Sequence, residues 1–294
     1  MGYCNAALSA LEAYFDSRYY YTMTNDYVTA NIRYLVPTGS KPIYIASRGG
    51  ADAALDIGAD FEDHDVRIHN ARLLTEPASL DREGFELHTW PSNIKDFYQI
   101  ETVAPAYEAE ITELVLAATG GSQALVFDHT LRSDSRGIRG ERNTREPASV
   151  IHNDYTDASA AKRLSDLLPA DEARERLKKR FAIVNTWRSV AGTIMDSALA
   201  CCDAQTLDNQ DLIASERRAE ERIGELQLVS HNDAHRWYYY PRMEREEVLL
   251  IKTFDSAVDG RARRSVHTAF HDPAAAPGVP PRESIESRLL VFFD

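Results

Sequence analysis

Residues 247–293 read EVLLIKTFDSAVDGRARRSVHTAFHDPAAAPGVPPRESIESRLLVFF, and this stretch decides the fold class. Three runs within it, at 247–256, 264–270 and 283–293, are rich in β-branched, aromatic and leucine residues and predict strands. Asp259-Gly260 predicts a hairpin turn between the first two strands. The segment 273–281, with its proline, alanine and glycine residues, predicts a loop before the last strand.

Similar apolar runs precede this stretch and predict further strands. They lie at 123–132, 149–154, 181–188 and 236–241. Residues 105–121 predict a helix that ends at two glycines, and residues 157–180 predict a charged helical insert broken at Pro169. The remaining polar segments predict an exposed loop at 132–147 and a solvated helix or loop at 209–224. Short strands therefore dominate from residue 120 onward, which is typical of a mainly β sandwich or barrel with a helical layer.

The N-terminal third mixes the two kinds of pattern. Residues 5–16 predict an amphipathic helix, the tyrosine-rich stretch 18–47 predicts strands, and residues 64–74 predict another strand. We expect this part to support the β structure that follows it.

Composition excludes some classes of partner. The 294 residues carry 33 basic and 46 acidic side chains, a net charge of −13. Such a charge disfavours nucleic acid and anionic membranes. No run of 18 apolar residues and no signal-peptide pattern is visible, so we expect a cytoplasmic protein with no membrane partner. The sequence shows no interface signal and leaves a homodimer open.

The three cysteines predict no disulfide framework. Cys4 is isolated, and Cys201 and Cys202 are adjacent, so none stands in a metal-binding or redox spacing. A reducing compartment fits this pattern. We expect the adjacent pair to be buried in the core.

Two copies of the tripeptide His-Asn-Asp could hold a metal ion. One is His152–Asp154 after an apolar run, and the other is His231–Asp233. On a strand, residues i and i+2 point to the same face, so a His and an Asp at this spacing can share one ion. One imidazole and one carboxylate suit iron, and a second histidine would complete a facial triad with three open positions.

The distance to a later histidine favours the first copy. His267 lies on the second-last predicted strand, 115 residues after His152 but only 36 after His231. A double-stranded β-helix needs several strands between the two ends of a triad. His152, Asp154 and His267 are therefore the predicted ligands, and His231 is expected in a loop.

Arg282 and Ser284 open the last predicted strand and share one face, which suits a bidentate grip on a carboxylate. Arg288 has the same parity and is the second candidate for this clamp. Five further residues are candidates for the substrate pocket, with core packing as the competing interpretation: His129, Tyr155, Trp187, Arg188 and Tyr239.

Several of these motifs together resemble a known family. The matching stretches are VFDHTLR (126–132), IHNDYT (151–156), NTWR (185–188), DSALACCDA (196–204), HRWYYYPRM (235–243), EVLLIKTFDS (247–256), HTAFHDP (267–273) and PRESIESRLLVFF (281–293). They resemble the group that contains the bacterial cephem 7α-methoxylase component, fungal hydroxylase/desaturases and endoperoxide-forming enzymes of secondary metabolism. One departure is Ser189, where the family pattern has proline.

The resemblance implies a jelly-roll, cupin-like oxygenase that uses Fe(II), 2-oxoglutarate and O₂. By position in the matching motifs, His152, Asp154 and His267 would hold iron, and Arg282 with Ser284 would hold 2-oxoglutarate. The expected reaction is hydroxylation, desaturation or oxidative cyclisation, including endoperoxidation, of a small-molecule intermediate, begun by C–H abstraction. The expected organisation is one domain over 1–294, with 1–119 supporting a jelly-roll core at 120–294.

Two other functions are compatible with the same residues. One is a cupin-like hydrolase or isomerase that uses zinc or another divalent ion. The other is a barrel that binds a small molecule without catalysis. Formation of an Fe(II)–2-oxoglutarate complex would separate the oxygenase from both.

Overall fold

A computed structural model describes residues 25–219 and 222–294. The predicted helix over 5–16, the first part of the predicted 18–47 strands, and Cys4 lie outside these residues. Within the described part, most of the ordered backbone is extended, and helices are few and short apart from one. The prediction of a mainly β protein with a helical layer is confirmed.

The strands and α-helices are numbered along the described chain. The strands are β1 (Tyr27–Leu35), β2 (Ile43–Ile45), β3 (Asp56–Gly58), β4 (Phe61–Asn70), β5 (Phe85–Thr89), β6 (Gln123–Ser133), β7 (His152–Asn153), β8 (Phe181–Ser189), β9 (Ala198–Cys202), β10 (Leu212–Ala219), β11 (Arg222–Val229), β12 (Trp237–Tyr239), β13 (Glu247–Asp255), β14 (His267–Phe270) and β15 (Glu283–Phe292). The helices are α1 (Ile100–Thr119), α2 (Arg136–Arg142), α3 (Asp157–Leu167) and α4 (Ala170–Arg176).

The strands form two sheets that face each other across the candidate site. The larger sheet has the order β1-β4-β12-β9-β14-β7-β11-β10-β2-β3, and the smaller has the order β5-β13-β8-β15-β6. Neighbours in both sheets are mostly distant in sequence, and early strands pair with late ones: β4 with β12, and β5 with β13. The chain therefore crosses repeatedly between the two sheets.

Helix α1 covers the outer face of the smaller sheet. Its buried side chains, among them Tyr107, Ile111 and Leu114, pack against Val184 of β8 and Leu289 of β15. The helix ends where Gly120 adopts a left-handed φ of 68° and donates its N–H to the Leu116 carbonyl. The predicted helix is confirmed, although it begins at Ile100, upstream of Pro105.

The predicted helix or loop at 209–224 is wrong. This segment contributes β10 and the start of β11, which pair as an antiparallel hairpin from Leu212↔Val229 onward. Its Glu- and Arg-rich composition favours a helix, but Ser215 and Leu226 are buried against the rest of the sheet. Pairing with β7 and β2 on the two sides stabilises the extended form. Tertiary contacts override local propensity here.

Four smaller features also differ from prediction. The predicted 64–74 strand is β4, which ends at Asn70, where that side chain caps a short 3₁₀ helix at Ala71–Leu73. The loop at 132–147 contains α2, capped by Ser135. The strand at 149–154 pairs only over His152–Asn153.

The fourth difference is the turn at Asp259-Gly260. It does not close a hairpin, because β13 belongs to the smaller sheet and β14 to the larger. Gly260 has a φ of +97°, so a turn is present, but the chain crosses between sheets after it. The predicted helical insert is confirmed as α3 and α4, which meet around Pro169.

Cys201 and Cys202 are buried, as expected, and both are free thiols; burial raises the pKa of Cys202 to about 12. Across residues 25–219 and 222–294, none of the helices combines the length and the apolar character that a membrane crossing requires.

Candidate metal centre

Strand register places two histidines opposite each other. His152 of β7 pairs directly with His267 of β14, and the ring centroids are 4.5 Å apart. Asp154 follows β7, and one ligand atom from each of the three side chains lies within 4.8 Å of the others. His152 and His267 are 6% and 1% exposed. The structure thus brings His267 to a His-Asp pair that lies more than 110 residues earlier in the sequence.

The hydrogen bonds of the histidines leave their Nε2 atoms available. His152 Nδ1 lies 2.8 Å from the Val150 carbonyl oxygen, and a carbonyl can only accept, so Nδ1 carries the proton. Burial, reinforced by the neighbouring His267, lowers the pKa of His152 to about 3 and keeps it neutral. His267 Nε2 is buried without a hydrogen-bond partner among the described residues. A buried imidazole nitrogen without a hydrogen-bond partner is suited to bind a metal ion.

Two side chains of the smaller sheet hold the Asp154 carboxylate. Arg288 Nε donates to Asp154 Oδ2 at 2.9 Å, and Asn185 Nδ2 donates to the same oxygen at 2.7 Å. Burial by itself would raise the pKa of Asp154, but the charge of Arg288, together with the two histidines, lowers it below its usual range. The carboxylate is therefore ionised and oriented, with Oδ1 on the side of His152.

We expect Asn185→Ala to weaken Fe(II) binding by about 10- to 100-fold, because it frees one side of a ligating carboxylate. Asn185 is fully buried and meets Arg288 directly across β8 and β15. Anaerobic Fe(II) titration by calorimetry measures the effect. Thr186→Val, on the opposite face of β8, is the matched control, and equal affinities for both variants would contradict the role of Asn185.

The second His-Asn-Asp copy lies in the loop before β12, as predicted. His231 stacks on His64 at a centroid distance of 3.7 Å, and the Asp233 side chain is fully exposed. Among the described residues, only His152, Asp154 and His267 form a cluster of three or more potential ligands. The first copy is thus the one that the fold completes.

Arg282 lies buried just before β15. Its Nε donates to Ser284 Oγ at 3.1 Å, its Nη1 donates to the Ser197 carbonyl at 2.8 Å, and its guanidinium lies 4.9 Å from the Trp187 ring centroid. In the described part of the chain no carboxylate oxygen lies within 4 Å of its nitrogens. Burial, with repulsion from Arg132, lowers the pKa of this uncompensated cation. Such a group suits an incoming carboxylate.

Arg288, the second candidate for this clamp, is already occupied. It contacts three carboxylates, those of Asp154, Asp128 and Glu286. These contacts use its Nε, Nη1 and Nη2 atoms. Its position suits the orientation of Asp154 better than the binding of a further anion.

Two of the predicted pocket residues point away from the candidate metal centre. Arg188 lies opposite Ile285, on the face of the smaller sheet that α1 covers, and donates to the carbonyls of Trp90 and Arg245. His129 lies on the same face between Ser287 and Glu108 of α1. Strand alternation places both away from the metal ligands, so these predictions are corrected.

Tyr239 of β12, the tyrosine predicted for the pocket, also points away from the metal centre. Tyr238 pairs with Cys201, which pairs with His267, so Tyr238 shares the face of the metal ligands. Tyr239 is on the other face, where its hydroxyl bonds Asp272. A run of three tyrosines gives no signal for which parity points inward.

The other two candidates lie near the centre. Trp187 shares its face with Asn185, and its Nε1 is buried without a partner among the described residues. Tyr155 is buried beside Asp154 and lines a cavity with it. Sequence reasoning missed Asn185, although period-two alternation in NTWR pairs it with Trp187.

A buried set of two histidines and one carboxylate between two β-sheets is typical of the non-heme iron oxygenases. Comparison with known proteins agrees. Residues 32–292 match the YDMC family model, described as an oxidoreductase/YMDC permease-like domain. The hydroxylase/desaturase efuI of Hormonema carpetanum is 32% identical over 254 residues, covering 78% of this chain and 83% of that protein.

Two further matches concern one relative. The Fe(II)/2-oxoglutarate-dependent dioxygenase nvfI of Aspergillus novofumigatus is 32% identical over 241 residues, covering 78% of this chain and 83% of that protein. The solved structure of the iron and alpha-ketoglutarate-dependent endoperoxidase NvfI matches with a TM-score of 0.78 and 26% identity, over 91% of this chain and 98% of that chain.

The chain therefore belongs to this oxidoreductase family, alongside the fungal hydroxylase/desaturases. The predicted jelly-roll fold and the resemblance to that family are both confirmed.

Proposed function

We propose that this protein is an Fe(II)- and 2-oxoglutarate-dependent dioxygenase that oxidises a small-molecule intermediate of secondary metabolism. The expected outcomes are hydroxylation, desaturation or oxidative cyclisation, including endoperoxidation. The observation that carries the proposal is the buried cluster of His152, Asp154 and His267, with a free Nε2 on His267. The names of the related enzymes support the same oxidant.

His152, Asp154 and His267 would hold the iron. With 2-oxoglutarate and O₂, bound iron supplies the oxidising power to break an unactivated C–H bond. The chain keeps the His152 imidazole neutral and the Asp154 carboxylate ionised, which is the protonation state that a divalent cation requires of these ligands. Arg288 and Asn185 fix the direction of the carboxylate before any ion arrives.

Arg282 and Ser284 would bind the distal carboxylate of 2-oxoglutarate. The guanidinium is buried and has no acidic partner among the described residues, and Ser284 Oγ is within 3.1 Å of its Nε. Trp187 lies beneath Arg282 and limits its movement. Because the Arg282 guanidinium is buried, water is excluded from it, and its ion pair with the 2-oxoglutarate carboxylate would be stronger than in solvent.

We expect Arg282→Gln to raise the Kd for 2-oxoglutarate by about 10- to 150-fold, the value of a hydrogen bond to a charged group. Anaerobic titration of the Fe(II)-loaded protein, followed by the weak visible charge-transfer band of the chelate, measures it. Arg218→Gln, an exposed arginine on β10, is the control. An unchanged Kd would contradict the clamp, and a wild-type protein that forms neither the band nor succinate would contradict the function.

The proposal extends to organisation and location. One domain over 1–294 is supported by the way that strands before and after residue 119 share both sheets. A cytoplasmic location is supported by the sparse cysteines, of which the adjacent pair is buried and present as free thiols.

A further inference from the structure

A cationic cavity adjoins the metal centre. It has a volume of about 220 Å³, and its walls include Asp154 and Tyr155. Six cationic side chains line it against four carboxylates, in a chain whose net charge is −13. We call it the arginine pocket, defined by Arg145, Arg163, Arg217, Arg222 and Arg288. Such a local excess of cations in an acidic protein needs a reason.

The carboxylates of the pocket are already committed. Asp154 and Asp128 bind Arg288, and Asp166 binds Lys162. The fourth, Glu225, binds Lys41 from outside the pocket wall. Over residues 25–219 and 222–294, no carboxylate oxygen lies within 4 Å of a guanidinium nitrogen of Arg145 or Arg217. Arg163 and Arg222 also have no carboxylate partner in that part of the chain, but Arg145 and Arg217 are the two whose charges repel that of Arg288.

Strand register places the Arg217 side chain on the same face of the larger sheet as His152. Leu228 lies opposite both His152 and Ile213, so these three residues share a face. Arg217 lies four residues after Ile213 on β10 and therefore has the same orientation. Tyr44 of β2 pairs with Arg217 and flanks it.

Arg145 approaches from the opposite side. Its backbone forms an isolated parallel β-bridge with that of Arg132 on β6 of the smaller sheet. Burial and then repulsion from Arg288 lower the pKa of Arg217, while burial and then repulsion from Arg132 lower that of Arg145. Like charges are therefore held close together in the pocket, and a bound anion would relieve their repulsion.

We propose that Arg145 and Arg217 bind a carboxylate of the organic substrate and hold that substrate beside the iron. The substrate class is a small organic acid. This inference rests on the proposed function, because it takes the neighbouring triad as the reaction centre. A carboxylate could also come from 2-oxoglutarate, which has the same chemistry but which we assign to Arg282, and the experiment separates the two sources.

The test uses benzoate as the probe and methyl benzoate as its neutral match. Each is titrated by calorimetry, without O₂, into the protein loaded with Fe(II) and 2-oxoglutarate. The variants are Arg145→Gln/Arg217→Gln and the control Arg218→Gln, whose side chain lies on the opposite, exposed face of β10. Since removal of unpaired like charges relieves repulsion, we expect the double variant to be at least as stable to urea as the parent.

We expect benzoate, but not methyl benzoate, to bind the parent and Arg218→Gln, and the double variant to bind it about tenfold or more weakly, a loss of about 1.4 kcal/mol. The 2-oxoglutarate band should be unchanged in all three. No benzoate binding by the parent, or equal binding by the double variant, would overturn the inference. Loss of the 2-oxoglutarate band in the double variant alone would also overturn it, because the pocket would then hold the co-substrate.

Failure of the proposed function has a different signature. In that case the parent protein itself would form no chelate with Fe(II) and 2-oxoglutarate. The benzoate titration can then be made on the metal-free protein, where its dependence on Arg145 and Arg217 still decides whether the pocket binds carboxylates.

Discussion

His152→Ala is expected to abolish the Fe(II)–2-oxoglutarate charge-transfer band and to reduce succinate formation by more than about 100-fold. Removal of a residue that only orients a metal ligand lowers metal affinity or activity by about 10- to 100-fold. Removal of the ligand itself should lower them further. The remaining pair, Asp154 and His267, would hold the iron through two side chains instead of three. Both the band and succinate formation can be followed on one preparation.

His231→Ala is the matched control for this prediction. It alters the same tripeptide in the second copy, where the ring stacks on His64 in a loop. We expect the band and the turnover to stay at the level of the parent. If His231→Ala removed the band while His152→Ala retained it, the assignment of the metal centre would be reversed.

Arg288→Met is expected to destabilise the metal-free protein by about 3–5 kcal/mol, the usual cost of removing one partner from a buried ion pair. Arg288 is the shared partner of Asp154, Asp128 and Glu286, and the Asp154 and Glu286 side chains are only 12% and 6% exposed. Without it, the buried carboxylates of Asp154 and Glu286 lose their cationic partner. Urea unfolding at neutral pH gives the free energy of unfolding directly.

Arg218→Met provides the reference for an exposed arginine on the same protein. Surface substitutions of this kind usually change stability by no more than about 0.5 kcal/mol. Fe(II) added to Arg288→Met should restore part of the lost stability, because the cation binds only the folded state. Arg288→Met and Arg218→Met with equal unfolding free energies would show that the three carboxylates do not depend on Arg288.

Much of the architecture was predictable because it depends on local pattern. The apolar strands at 123–132, 181–188 and 247–256 were found close to their observed bounds, and so was the helix that ends at Gly120. The prediction failed at 209–224, where charged residues that favour a helix form a hairpin instead. The partners that stabilise that hairpin, β7 and β2, are distant in sequence, so no window of local sequence contains them.

The sequence by itself predicted the mainly β class from its apolar runs and the family from the resemblance of several motifs. It predicted the set of His152, Asp154 and His267 from residue types at their spacing. The tertiary structure alone decided which faces those residues share. Register placed Tyr238 rather than Tyr239 on the metal side, turned Arg188 and His129 towards α1, and placed Asn185 on Asp154. A shift of one residue reverses the face of every side chain on a strand, and pairing between distant strands sets that register.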